Sequence, residues 1–146
     1  MKLPKYELKA EKSLMIFEFV SEGKKGRIVK LIKFSETTLK DFYNLAFGDK
    51  NEKTGEINDT IVSNNGDTER VLATVVAAVY AFTDGKPDSW IYATGSTNAR
   101  TRLYRMGISK FLEEIQNDFS LYGQAEGEWE NFRKEIEYSA YLVRRK

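Results

Sequence analysis

The sequence predicts an α+β fold, a mostly antiparallel sheet of about five to seven strands with two main helices packed on one face. Two observations predict it. Short runs rich in β-branched and aromatic residues, punctuated by Gly and Asn turns, fill the first part of the chain. Two apolar stripes at helical spacing then alternate with short strand-like runs.

Residues 14–20 (LMIFEFV) read as a strand, and the turn residues Gly23-Lys24-Lys25-Gly26 lead into a second, 27–34 (RIVKLIKF). Lys30 and Lys33 place that second strand at an edge or on a partly solvated face. In 41–47 (DFYNLAF), Tyr43, Leu45 and Phe47 alternate as in a strand, although Leu39, Phe42, Leu45 and Ala46 also fit a short helix. A polar connection follows, then 56–62 (EINDTIV) as a fourth strand and Ser63-Asn64-Asn65-Gly66 as a turn.

Asp67 is placed to cap the first helix. Val71, Leu72, Val75, Val76, Val79 and Phe82 form its stripe, with Ala73, Ala77, Ala78 and Ala81 between them, and Gly85 and Pro87 stop it. Residues 89–94 (SWIYAT) read as a short central strand. The second helix is expected over 98–119, with Tyr104, Ile108, Phe111, Leu112, Ile115 and Phe119 on one face. Gly107 within it, at about 1 kcal/mol relative to Ala, predicts a close contact. The run QAEGEWE reads as an acidic connection, and a final strand is expected within 132–143. No repeat or linker divides the chain, which is read as one domain over residues 1–146.

Composition excludes several chemistries. There is no Cys and no His among 146 residues, which removes thiolate sites, disulfides and the commonest general base and metal ligand. No metal site and no cofactor is expected. The formal charge of +1 gives no global basic field, so a nucleic-acid site would be a local patch. The start of the chain lacks the apolar core of a signal peptide. The longest apolar stretch is too short to span a bilayer, so no membrane partner is expected and a cytoplasmic setting is.

The most unusual stretch is GSTNARTRLYR, where a strand gives way to a helix. Arg100, Arg102 and Arg105 crowd the first turns of that helix, where cations are disfavoured, and Glu113, Glu114 and Asp118 lie towards its far end. A bound phosphate or carboxylate reverses that argument, because arginine forks and N-terminal amides would both face an anion. Gly95 permits a tight backbone, Ser96 and Thr97 supply hydroxyl and amide donors, Arg100 is the oriented fork, and Arg102 and Arg105 steer, with Tyr104 beside them. The competing reading pairs Arg100 with a carboxylate such as Glu69 or Asp67 and leaves Arg102 and Arg105 solvated.

Other stretches carry less. DKNEKTGEINDT lacks the glycine and closing glutamate of a calcium loop and reads as a connection. On an exposed sheet face, Phe17, Phe19, Tyr43 and Phe47 would stack bases, with Lys30 and Lys33 nearby for phosphates, but the helices need a sheet face to cover, so the aromatics read as core. Arg144-Arg145-Lys146 reads as a solvated tail rather than a nucleic-acid arm.

Through TGEINDTIVSNNGDTERVLATV and IYATGSTNARTRLYRMGI, the chain resembles a family of small bacterial proteins classed as a domain of unknown function. The pattern G-S-T-x-x-R-x-x-L-Y, here Gly95, Ser96, Thr97, Arg100, Leu103 and Tyr104, is the most distinctive part. The resemblance implies one bacterial cytoplasmic domain and supplies no activity. The residues themselves suggest a binding module for a phosphate-bearing ligand or nucleic acid. A metal-independent nuclease using Arg100, Arg105, Tyr104 and a carboxylate such as Glu69 is one alternative. A homodimer or protein-interaction domain with structural arginines is the other.

Overall fold

A computed structural model of the chain describes residues 5–58, 63–95 and 97–146. Its strands are β1 (Lys9–Ala10), β2 (Ile16–Gly23), β3 (Gly26–Glu36), β4 (Phe42–Asp49), β5 (Trp90–Ala93), β6 (Phe119–Ala125), β7 (Glu128–Asn131) and β8 (Ala140–Arg145). The helices are α1 (Thr68–Gly85), α2 (Asn98–Lys110) and α3 (Leu112–Asp118). One eight-stranded sheet runs β1-β2-β3-β4-β5-β8-β6-β7. Its neighbours are antiparallel except β4 and β5, which α1 connects as a parallel pair.

The α+β class therefore holds, with one strand more than the upper expectation and one additional helix. The extra helix arises at Phe111, whose backbone (φ −111°, ψ 24°) leaves the helical region and divides the expected 98–119 segment into α2 and α3. Glu113 and Glu114 consequently lie in the first turn of α3, where the dipole favours them rather than opposing them. Three strands come from unexpected places: β1, and the two of the hairpin β6–β7, built through the run read as an acidic connection. The expected strand over 56–62 is reduced, in its described part, to a bridge between Ile57 and Lys50, and residues 59–62 lie outside the described residues.

All three helices cover one face. Leu72, Val75 and Val79 of α1 and Tyr104 and Ile108 of α2 meet Leu45, Ile91, Tyr141 and Val143 of the sheet. Phe34 stacks on Phe82 at 4.2 Å, with Tyr43 edge-on to the same ring. Phe17, Phe19, Tyr43 and Phe47 are buried in this core. Gly107 marks the helix crossing: a Cβ there would touch Leu72 Cδ2 at 3.4 Å.

Lys30 departs from expectation. It shares the core-facing phase of Ile32 and Phe34 and is 4% exposed. Such a cation requires a partner, and Asp49, opposite it on β4, supplies one at 2.6 Å. Nor do the terminal basic residues form a free tail. Arg144 and Arg145 belong to β8, and Arg145 pairs with Asp84 at 2.6 Å and donates to the Tyr80 carbonyl.

Candidate functional site

The starts of α1 and α2 converge beside the end of β4. Between them lies a cavity of about 190 Å³, with Lys30, Asp49 and Ser63 on one side, Asp67 and Thr68 at the start of α1, and Arg100 and Arg102 from α2.

The start of α1 is built unusually. Asp67 occupies the N-cap position, but its side chain caps nothing. Its Oδ2 instead accepts hydrogen bonds from the Tyr6 and Ser21 hydroxyls, each at 2.5 Å. Burial and then the Asp67 carboxylate raise the Tyr6 phenol above its ordinary range, so it stays a donor. The first amides of α1 thus receive no acceptor from their own cap residue. Asn65 braces the same turn, with its amide donating to Ser21 Oγ and the Gly26 carbonyl.

The start of α2 is conventional in its cap and unusual in its charge. Thr97 Oγ1 accepts from the Arg100 amide at 3.2 Å, and no acidic residue occupies the first turn. Gly95 is required by a close approach, since a Cβ there would collide with Thr101 N and Arg100 Cβ. Its amide donates to Thr101 Oγ1 at 3.1 Å.

Arg100 is buried, and its guanidinium forks onto two backbone carbonyls. Nη1 donates to Phe47 O and Nη2 to Asn58 O, each at 2.5 Å. The carboxylates expected to pair with it are engaged elsewhere: Glu69 with Lys110 at 3.3 Å, and Asp67 as described. Arg100 therefore pins the end of β4 to the loop that follows. Arg102, two residues on and on the exposed side, stands at the cavity and makes no ion pair among the described residues.

A family model matches residues 2–146. The chain belongs to the family of unknown function DUF6934. No curated protein and no solved structure matches it.

In this DUF6934 chain the expected site residues divide into groups. Arg100 and Arg102 reach the cavity together, while Gly95 and Thr97 shape the turn that presents them. Tyr104 is buried beneath, its hydroxyl donating to Leu45 O at 3.2 Å and its phenol held well above its usual range by desolvation. Arg105 does not line the cavity; its charge acts on Tyr141 instead. Ser96 lies outside the described residues. Sequence reasoning did not bring Lys30, Asp49 and Ser63 to this cavity, where they form a chain of contacts: Lys30 to Asp49, and Ser63 Oγ donating to the other oxygen of Asp49. The available signal was the phase of Lys30, which matches Ile32 and Phe34 rather than the solvent-facing residues.

Proposed function

We propose that this chain is a binding protein for a compact anion, a phosphate group above all, seated between the starts of α1 and α2. One observation carries the reading: two helix N-termini, buried Lys30 and exposed Arg102 all border one cavity. Helix amides and cations both favour an anion. Asp49 and Asp67 border it too, but each accepts hydrogen bonds from neighbouring side chains. The volume lies below the roughly 300–1,000 Å³ of drug-sized sites, which suits a phosphate group with the rest of its ligand at the mouth.

The placements favour binding over nucleic-acid cleavage. Tyr104 is buried with its hydroxyl engaged, Glu69 pairs with Lys110, and Arg105 is off the cavity. The test is thermal unfolding against inorganic phosphate, sulfate, mononucleotides and sugar phosphates. A ligand at a hundred times its dissociation constant adds about 2.7 kcal/mol, which raises the midpoint by roughly 5–8 °C. That shift should vanish in Arg102→Glu while the unliganded midpoint stays put. A panel without any shift would sink the proposal.

A further inference from the structure

The sheet face opposite the helices carries an aromatic array. The register places Phe42, Trp90, Arg144 and Ser120 in one row across β4, β5, β8 and β6. The next row runs Ser35, Asn44, Tyr92, Leu142, Tyr122 and Asn131. Trp129 sits beyond on β7, opposite Gln124. The rings touch: Phe42 stacks on Trp90 at 5.7 Å, Trp90 meets Tyr122 at 6.0 Å, and Trp129 stands edge-on to Tyr92 at 5.9 Å. Phe42, Trp90, Tyr92 and Tyr122 are half-buried, and Trp129 is 41% exposed.

Around the rings, from β4 to β7, the charge on this face is one-sided. From Leu31 of β3 across to β7, the strand positions in this phase contain no Asp or Glu, in a chain that has 22 of them. They contain two cations, Lys33 and Arg144, and Arg144 lies over the Trp90 ring at 5.2 Å. The remaining polar positions are amides and hydroxyls. Carboxylates begin on the β2 side, where Glu18 stands opposite Leu31 and pairs with Lys50 at 3.1 Å, and Glu11, Glu18 and Glu56 border the same hollow as Lys33; Asp41 and Asp88 belong to turns at the strand ends. Half-buried rings keep faces for bases, and Arg144, with no carboxylate in its own row, suits a phosphate. The aromatic part of the face, whose strand positions from β4 to β7 carry no carboxylate, therefore matches a polyanion with π-faces better than an acidic or aliphatic partner.

We propose that this face binds single-stranded nucleic acid, with bases stacking on Trp90, Tyr92, Tyr122 and Trp129 and with Arg144 meeting the backbone. The site is separate from the helix-start cavity and does not depend on it. Both tryptophans of the chain lie in it, so intrinsic fluorescence reports directly on its occupancy. The experiment titrates the full chain at low salt with labelled single-stranded RNA and DNA oligonucleotides, and with a duplex of equal length, following tryptophan quenching and anisotropy together. Single strands should quench and bind, the duplex more weakly. Trp129→Ala and Tyr92→Ala should each weaken binding at least about fivefold, with thermal melting checking that they fold. Arg144→Gln should flatten the salt dependence, and Arg102→Glu should leave binding unchanged. Three results would overturn the proposal: no quenching by any single strand, binding that survives both aromatic substitutions but fails in Arg102→Glu, or a mass showing that a second copy of the chain covers this face.

Discussion

The guanidinium of Arg100 lies against the backbone of Gly48, so closely that a Cβ at Gly48 would stand 2.8 Å from Nη1 and 2.9 Å from Nη2. The same Cβ would meet Ile57 Cγ2 at 3.0 Å. Because the fork holds two carbonyls, it cannot yield without breaking hydrogen bonds. Gly48→Ala is expected to destabilise the chain by about 1–3 kcal/mol, read as a lower urea midpoint. An unchanged midpoint would mean that the arginine moves freely.

Arg100 and Arg102, two positions apart, should behave as opposites. Arg100→Ala removes the donors of two carbonyls and is expected to lose about 2–5 kcal/mol. Arg100→Lys should recover little, because a single ammonium does not reproduce the planar fork. Arg102→Ala should stay within about 0.5 kcal/mol of the parent. Chemical denaturation of the three variants decides this, and equal losses at both positions would refute the division of roles.

The Lys30–Asp49 pair calls for a cycle. Lys30→Met leaves a largely buried carboxylate without its cation and should cost about 3–5 kcal/mol. Adding Asp49→Leu should restore much of that loss, since two apolar side chains can fill the space of a buried pair. If the double variant were as unstable as the sum of the singles, the two groups would not be acting as a pair.

Five phenols give the chain an alkaline limit. Desolvation is the leading cause of the raised values of Tyr6, Tyr80, Tyr104, Tyr138 and Tyr141, with Tyr141 pushed up to about 12. In the unfolded chain these groups lose protons near pH 10, while the folded chain retains them. The unfolded state then binds fewer protons, so stability falls as pH rises above about 10. Tyrosinate absorbance should appear late, together with the loss of circular dichroism. A smooth titration near pH 10 with the fold intact would contradict this account.

The parts of the fold legible in the sequence were those with a single strong period. Val71, Leu72, Val75 and Phe82 mark α1 without ambiguity, and all four are buried. The hairpin β6–β7 was hidden by its turn. Glu126 and Gly127 both take positive φ, 52° and 80°, as a two-residue turn of this kind demands. Asn-Gly announces such a turn, but Glu-Gly does not. The break at Phe111 was hidden because Ile108, Phe111, Leu112 and Ile115 keep helical spacing across it. At the cavity, Arg100 was singled out from its sequence position alone, but the acceptors of its fork among the described residues are main-chain carbonyls, and carbonyls leave no trace in a sequence. Lys30 needed its strand phase weighed above its charge. Asp67 was recognised as a cap position, but Tyr6 and Ser21, which take its carboxylate, are remote in sequence and joined to it only by the fold.

The sheet order also constrains how the chain folds as it is synthesised. Strand β8 is inserted between β5 and β6, although both precede it in the sequence. Until residues 140–145 exist, β5 has one open flank, β6 has another, and the ledge under α2 and α3 is split. The meander β1–β4 can close early through local contacts, but the second half must wait with two unpaired edges, the kind that capture other chains. The interval between the making of β5 and the arrival of β8 is thus the period when the chain is most exposed to misassembly. A substitution that weakens β8 should show first as aggregation during synthesis, ahead of any loss of stability in the finished protein.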